Sequence, residues 1–360
     1  MCGLTRRSSS STTRHTSKFT LALACALVGA LLAACGADAR SSAASLLRAS
    51  IENVTQATAY RYGARDNEGV SLDTLKVIAN PNGGYLGVYH VLRQGVFTVR
   101  LARSSDLLTW VHVTDLDPHA SQPTLAATPR GGFLLADERD TGCTGTGPGG
   151  NCLGFRHYKS VAALLAGVSD RNFQAPRSLS KCAEGTPNIY SVRQRGGIGR
   201  STIKVGFHYF RDCKVDRQAG GVLRNFSSWS ARVDDRANRL LEAFHPAGNI
   251  GDRDYIGVPG GRFSIHEVQF GLHDFGSWRV FLYDRNAGRA VQLIVKTHHG
   301  STAFANPAFT VLRSPRGRPA LLVTLFLPAQ GATITEGGEL VYYRELRGRA
   351  ARLLAPKRLR

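Results

Sequence analysis

The sequence predicts an all-β protein and, more narrowly, a five-bladed β-propeller. Short runs rich in β-branched and aromatic residues, separated by glycine, proline and asparagine, dominate the 360-residue chain after its N-terminal segment. Helical periodicity is scarce, and SVAALLAGV at 160–168 is the only fair helix candidate. A pair of apolar runs joined by a tight Gly/Pro turn recurs five times, which is typical of a repeat architecture.

Each copy of the repeat starts with a polar residue or proline, before the first apolar run. The copies span Leu72–Val91, Ser121–Glu138, Gly185–Phe210, Asp252–Phe270 and Ala305–Leu327. Further apolar runs follow most copies, so each unit supplies about four strands, as a propeller blade does. The last blade takes its fourth strand either from residues 57–63 or from residues 351–356. A pair of β-sandwiches is the competing fold.

The N-terminal segment has the order of a secretory signal. Four basic residues and no acidic residue precede an apolar run, 19–35, which is too short to cross a bilayer as a stable helix. Leu32 to Cys35 resembles a bacterial lipobox, which implies lipidation of Cys35. We therefore expect a signal peptide at 1–34, a flexible linker at 35–55, the propeller at 56–346 and a basic tail at 347–360. Plain secretion is the alternative to a lipid anchor.

The net charge of +20 invites a nucleic-acid hypothesis, which the pattern of the charges does not favour. Arginines are scattered through every segment, and only the C-terminal tail concentrates them. A solvated basic surface facing an anionic cell envelope fits this distribution better. We expect no nucleic-acid partner.

Four cysteines follow the signal segment, and an even number in an exported chain favours disulfides. Proximity in the sequence favours the pairs Cys143–Cys152 and Cys182–Cys213. A metal site is disfavoured because no CxxC motif or clustered histidine pair accompanies them.

In a propeller, the first strand of each blade lines the central channel, and the mouths of these strands converge at one end. The residues at these mouths are Asp73, Gln122, Glu184 with Thr186, either Asp252 or Asp254, and Asn306. The alternative for a carboxylate at such a place is a structural one, in which it caps a turn through backbone amides.

Two stretches carry a family resemblance. ARSSDLLTW, Ala102 to Trp110, is similar to the loop between the third and fourth strands of propeller blades. AEGTPNIYSV, Ala183 to Val192, resembles the Glu-Gly-Pro stretch in the third blade of the arabinanase, xylosidase, levansucrase and invertase superfamily, to which glycoside hydrolase family 43 belongs. In this chain Thr186 stands between the glycine and the proline.

The resemblance implies a glycoside hydrolase with paired carboxylates, with Glu184 as the general acid and Asp73 as the base. It places Gln122 where the family has an aspartate that tunes the acid. We expect the substrate to contact the following residues: Gln122, Asn188, Arg253, Asp254, His266 and Asn306. Arabinan- or xylan-type furanosides are the first substrates to consider.

Two alternatives stay open. One is a non-catalytic propeller that binds carbohydrate or an envelope partner, and the other is a sialidase-like enzyme, for which only Arg253 is obviously placed. We expect an exported monomer whose partners are a carbohydrate and, through the lipid anchor, a membrane. No cofactor is expected, and a structural calcium ion in the channel is left open.

Overall fold

The fold was analysed in a computed structural model, which describes residues 43–356 apart from 146, 148 and 149. The signal segment and Cys35 lie outside the described residues. Five four-stranded antiparallel sheets form the blades of a propeller, as the repeats predicted. In the described residues, no helix is both long and apolar enough to span a membrane.

Each copy of the repeat forms the first two strands of one blade, because its two apolar runs pair across the Gly/Pro turn. Blade 1 contains β2 (Lys76–Ala79), β3 (Tyr85–Arg93), β4 (Val96–Ser104) and β5 (Val111–Pro118). Blade 2 contains β6 (Ala120–Ala127), β7 (Phe133–Arg139), β8 (Cys152–Tyr158) and β9 (Arg171–Gln174). Blade 3 contains β10 (Glu184–Gln194), β11 (Ser201–Arg211), β12 (Val215–Arg224) and β13 (Ser228–Val233). Blade 4 contains β14 (Ile250–Val258), β15 (Gly261–Gln269), β16 (Trp278–Asp284) and β17 (Arg289–Gln292).

Blade 5 closes the ring with strands from both ends of the propeller. It contains β18 (Ala305–Arg313), β19 (Pro319–Leu327), β20 (Gly338–Glu345) and the outermost strand β1 (Ala59–Arg61). Of the two segments proposed for this strand, the N-terminal one is therefore confirmed. The inner strands of neighbouring blades contact one another around the whole ring, including β18 with β2.

The predicted helix at 160–168 forms α2 (Val161–Leu165), whose first turn is capped by the Ser160 hydroxyl. Residues 43–52 form another helix, α1, within the segment expected to be a flexible linker. Leu47 and Ile51 of α1 are buried in the core between blades 4 and 5, which explains why this part is ordered. The basic tail likewise begins with a helix, α4 (Gly348–Leu354), which buries Leu354 in the same core.

Large apolar clusters join four of the five blade contacts, because alternate side chains of each strand point toward a neighbouring blade. The contact between blades 3 and 4 is different. Its apolar cluster is small and built around Leu241 of helix α3 (Asp235–Glu242). Polar side chains, including Arg253, Ser264 and His266, are buried in blade 4 beside it.

Both predicted disulfides are present. The Cα atoms are 5.7 Å apart in Cys143–Cys152 and 5.6 Å apart in Cys182–Cys213, which is normal for a disulfide. The first bond closes the glycine-rich loop before β8, and the second ties the segment before β10 to the β11–β12 turn. Two disulfides in this chain are compatible with an oxidising compartment.

Candidate functional site

A cavity of about 580 Å³ lies where the inner strands begin. The second strand of every blade lines it, and the five side chains at the equivalent position are His90, Glu138, His208, Glu267 and Phe326. They occupy equivalent register positions, as the pairs Ser121–Glu138, Gly185–His208 and Ala305–Phe326 show. The cavity is therefore built by the repeat itself.

The inner strands contribute backbone N–H groups as well as side chains at this level. Gln122, Thr186 and Asn306 each precede a proline and each have positive φ, at 50°, 44° and 45°. A proline cannot donate to the ladder, so the strand bulges there, and the register shifts accordingly. The bulge turns the N–H of each of these three residues toward the second strand of the preceding blade.

Glu138 receives one of these N–H groups. Its Oε2 accepts a hydrogen bond of 2.9 Å from the Thr186 N–H, and its Oε1 accepts one from the side-chain amide of Asn151. A Cβ on Gly185 would lie 1.9 Å from Oε2, so only glycine leaves space for this carboxylate. These contacts fix Glu138 at the cavity wall between blades 2 and 3.

Glu267 occupies the matching position between blades 4 and 5. Its Oε1 accepts from the Asp252 N–H at 2.9 Å, and its Oε2 accepts from the Asn306 N–H at 2.6 Å. Only 6% of the residue is exposed. Burial, helped by the nearby charge of Asp252, raises the pKa of Glu267 to about 7. Its carboxyl group therefore holds a proton at mildly acidic pH.

The two histidines of the cavity are neutral at pH 7, because burial lowers the pKa of both His90 and His208 to about 4. Nδ1 of His90 accepts the Gln122 N–H at 3.0 Å, which leaves the proton of this neutral ring on Nε2. His208 contacts the Thr186 hydroxyl and approaches Asp216 at 3.5 Å through Nε2.

Two aspartates add to the acidic character of the cavity, Asp216 and Asp140. Burial raises the pKa of Asp216 to about 6. Aromatic rings and amides complete the lining, namely Phe97, Phe210, Phe275, Trp278, Gln122, Asn151, Asn249 and Asn306. In the described part of the chain, no three His, Cys, Asp or Glu side chains are grouped as metal ligands.

Glu184, the expected general acid, is not among the residues that line this cavity. Its Oε1 accepts the N–H groups of Ser178, Leu179 and Ser180 at 2.7, 2.5 and 3.2 Å. The residue is 1% exposed and is the register partner of Tyr209 on β11. This is the geometry of the structural alternative, a carboxylate that caps a turn.

Asp73, the expected base, is also absent from the cavity lining. Its carboxylate accepts a hydrogen bond from the Ser71 hydroxyl two residues earlier. Its backbone carbonyl accepts the His90 N–H at 3.1 Å, which adds one hydrogen bond between the segment before β2 and β3. Burial raises the pKa of its carboxyl group.

Of the residues expected to contact substrate, Gln122 and Asn306 line the cavity and four do not. Asn188 donates to Asp254 at 2.6 Å, and Asp254 also accepts the Phe309 N–H, so this pair is a buried link among blades 3, 4 and 5. Arg253 is fully buried and donates through Nε to Gln218. His266 is fully buried beside Ser264.

The cavity residues that the sequence analysis missed carry a recognisable signal. One aligned position of the second strands is polar in four of the five repeats, although other polar residues such as Asp137 and His266 stand beside it: His90, Glu138, His208 and Glu267. Aligning the second strands of the repeats, instead of the mouths of the first strands, would have found them.

Comparisons with known proteins are informative for the fold. No protein-family model and no curated protein sequence matches the chain. Among solved structures, the complex of BT0996 with RGII matches over 87% of this chain and 97% of its own, with 11% identity and a TM-score of 0.54. A thermostable family-43 glycoside hydrolase matches over 80% of this chain and 93% of its own, with 12% identity and a TM-score of 0.51. The chain thus has a five-bladed propeller fold similar to that of the family-43 glycoside hydrolase.

Proposed function

We propose that this protein is an exported glycoside hydrolase that cleaves a polysaccharide or oligosaccharide in the cavity at the mouth of the channel. The observation that carries the proposal is the convergence of Glu138 and Glu267, from blades 2 and 4, on one cavity. Hydrolysis of a glycosidic bond needs two carboxyl groups on either side of that bond. Glu184 and Asp73, which the family resemblance suggested, give way to this pair in the proposal.

Glu267 is the general acid in this scheme. With a pKa near 7 it is largely protonated below neutrality and can give its proton to the leaving oxygen. Glu138 is the second carboxylate, which activates water or attacks the sugar carbon. Its contacts with Thr186 and Asn151 hold it in one orientation for that step.

The lining suits a sugar. A cavity of about 580 Å³ lies within the usual range for small-ligand sites, which is about 300 to 1,000 Å³. Apolar rings such as Trp278 and Phe326 offer flat contacts to a sugar ring, while Gln122, Asn249 and Asn306 offer amides to its hydroxyls. By resemblance to the propeller glycosidases, furanosides of arabinan or xylan type are the first candidates.

Export through the signal at 1–34 belongs to the proposal, as does a lipid anchor on Cys35. The basic N-terminal residues, the apolar run and the lipobox-like stretch support both. The two disulfides support an extracytoplasmic site of action.

The test is release of reducing sugar from arabinan, xylan, levan and aryl furanosides by the purified protein. Glu138→Gln and Glu267→Gln should each lower kcat/KM by at least about 100-fold, because each removes a proton-transfer or nucleophilic group. Glu184→Gln is the matched control, since it makes the same change in a carboxylate that the loop amides hold, and its kcat/KM should stay within about threefold. Loss of activity in Glu184→Gln alone would return the acid role to Glu184.

A non-catalytic carbohydrate-binding propeller is the second candidate, because both oxygens of Glu267 accept backbone N–H groups from blades 4 and 5. In that case Glu138 and Glu267 only connect neighbouring blades through hydrogen bonds. Binding of one polymer without hydrolysis, unchanged in Glu138→Gln, would establish this candidate.

A further inference from the structure

A strongly basic concave surface lies on blade 3, away from the cavity. One groove of about 770 Å³ is lined by five cations, which are Arg193, Arg195, Arg200, Lys204 and Arg224. A second groove of about 760 Å³ shares Lys204 and Arg224 with the first and adds Arg232, Arg236, Arg239 and Arg285. The only acidic residues that line either groove are Asp234 and Asp235. We call the two grooves together the blade-3 basic cleft.

The cleft and the cavity lie at opposite ends of the same strands. On β10, Thr186 lines the cavity and Arg193 lines the cleft, seven residues further along. On β12, Asp216 lines the cavity and Arg224 lines the cleft, eight residues further along. At about 3.3 Å per residue, the two sites are roughly 23 to 26 Å apart along these strands.

The strand period places the cations on one face. Arg193, Thr202 and Arg224 are register partners across β10, β11 and β12. Their neighbours Ile203 and Leu223 point to the opposite face and are fully buried between blades 2 and 3. The basic residues therefore form a continuous row on the face that the blade 2–3 core leaves free.

Five of these cations lack counter-ions. Arg193, Arg195, Arg200, Lys204 and Arg224 are exposed, and their side chains make no hydrogen bond or ion pair within the described residues. Other arginines of the chain do have counter-ions, for example Arg100, which binds Asp66, Glu68 and Asp115 at 2.7 to 2.9 Å. Neighbouring like charges destabilise a sheet, so an uncompensated row points to an anionic ligand.

Two arginines of blade 4, Arg253 and Arg285, lie close enough to interact with each other and with Asp234 of the cleft. Arg253 is 0% exposed, and its Nη1 and Nη2 have no hydrogen-bond partner among the described residues. Arg285, in the cleft wall, lies over the Tyr190 ring at 5.3 Å and pairs with Asp234 at 3.0 Å. Charges beside a low-dielectric wall focus their potential into the adjoining groove.

We propose that the blade-3 basic cleft binds a linear acidic polysaccharide. Its lining between the cations consists of hydroxyl and amide groups from Ser191, Ser201, Thr202 and Asn225, which suit sugar hydroxyls. Single-stranded nucleic acid relies on a series of stacking aromatic rings, and Tyr190 is the only aromatic residue of the cleft. A concave groove also matches a chain better than it matches a flat membrane surface.

The test measures the Kd for polygalacturonate by isothermal titration calorimetry. Arg193→Gln, Arg195→Gln and Arg224→Gln combined should raise Kd by about tenfold or more, because three charge contacts are lost. The matched control combines Arg103→Gln, Arg130→Gln and Arg171→Gln, which are exposed on blades 1 and 2 and remove the same net charge. Its Kd should stay within about twofold. Glu267→Gln should bind as the unmodified protein does, which separates this site from the proposed active site.

Three results would overturn the proposal. The first is no measurable binding of polygalacturonate at low salt by the unmodified protein, and the second is an equal loss of affinity in both triple variants. The third is tighter, cleft-dependent binding of oligodeoxythymidine or of phosphatidylglycerol vesicles, which would identify a different class of partner. Unchanged thermal unfolding of the two triple variants checks that each remains folded.

Discussion

Glu184 and Glu138 lie close together near the channel mouth and have opposite surroundings. Glu184 belongs to an inner strand, and three loop N–H groups occupy its carboxylate. Glu138 belongs to a second strand, accepts the N–H of Thr186 and lines the cavity. Gly185, beside Glu184 in the sequence, is the residue that makes space for Glu138.

The difference shows that the inner strands and the second strands have different roles at the cavity. Bulges at X-Pro positions turn backbone N–H groups of the inner strands toward the second strands, whose aligned side chains, Glu138 among them, reach the cavity beside the Gln122 and Asn306 amides. Changes around Glu184 should therefore lower stability, and changes around Glu138 should lower activity. Cys182 lies two residues before Glu184, and Cys152 is the register partner of Arg139, which follows Glu138. Removing one disulfide therefore perturbs the surroundings of one glutamate.

The largest expected effect comes from the disulfide beside Glu184. Cys182–Cys213 spans 31 residues and Cys143–Cys152 spans 9. By loop-closure entropy, Cys182→Ser with Cys213→Ser should cost about 4 kcal/mol of unfolding free energy, and Cys143→Ser with Cys152→Ser about 3 kcal/mol. Urea unfolding of the two double variants measures both. A larger loss from the shorter loop would show that strain or residual structure, not loop length, sets the order.

The second largest effect is expected at Glu184, whose carboxylate caps the loop at 178–180. Glu184→Ala leaves three N–H groups without their acceptor and should lower the unfolding free energy by about 3 kcal/mol. Glu138→Ala also removes a buried acceptor, but Asn151 and the cavity can solvate its partners, so we expect about 1 kcal/mol. Urea unfolding compares them. Equal losses would mean that both glutamates are structural.

The fold followed from the sequence because its signals are local and repeated. Period-2 apolar runs, Gly/Pro turns and five similar units determine the blade order, and even the closing strand was among the two segments proposed. Helix α1 was missed because only the tertiary core that buries Leu47 and Ile51 explains its order.

Most side chains that line the cavity could not be predicted from the sequence, because the lining depends on which way each strand residue points. His266 and Glu267 are neighbours, so a strand must turn them to opposite faces. The sequence analysis placed His266 among the substrate contacts, whereas Glu267 reaches the cavity. The pairing of the inner strand with the second strand is also irregular at this level in blades 2, 3, 4 and 5, so a position on the first strand cannot be carried to the second strand by counting residues.

Glu267 gives a pH-dependent test. Because its pKa is raised to about 7, kcat/KM should fall about tenfold per pH unit above that pH as the acid loses its proton. Asp252→Asn removes a charge that raises this pKa, so the alkaline limb should move to lower pH. If the alkaline limb does not move in Asp252→Asn, the group that titrates there is not Glu267.

The same group links stability to pH. A carboxyl whose pKa is higher in the folded state binds its proton more tightly there than in the unfolded chain. Its contribution is fully present below the unfolded value of 4.5 and is lost as the pH rises toward about 7. Glu267→Gln should flatten the fall in unfolding free energy over this window, as urea unfolding at several pH values would show.

The smallest expected effect separates the two glutamates at a residue that touches both. The Asn151 carbonyl accepts the Glu184 N–H at 3.0 Å, and its side-chain amide donates to Glu138. Asn151→Ala keeps the first contact and removes the second, so kcat/KM should fall about fivefold, the equivalent of one hydrogen bond, with little change in urea unfolding. Asn151→Asp places a negative charge against Glu138 and should lower activity further. A loss of stability without a loss of activity in Asn151→Ala would mean that this amide serves the Glu184 loop, and that Glu138 needs no partner to orient it.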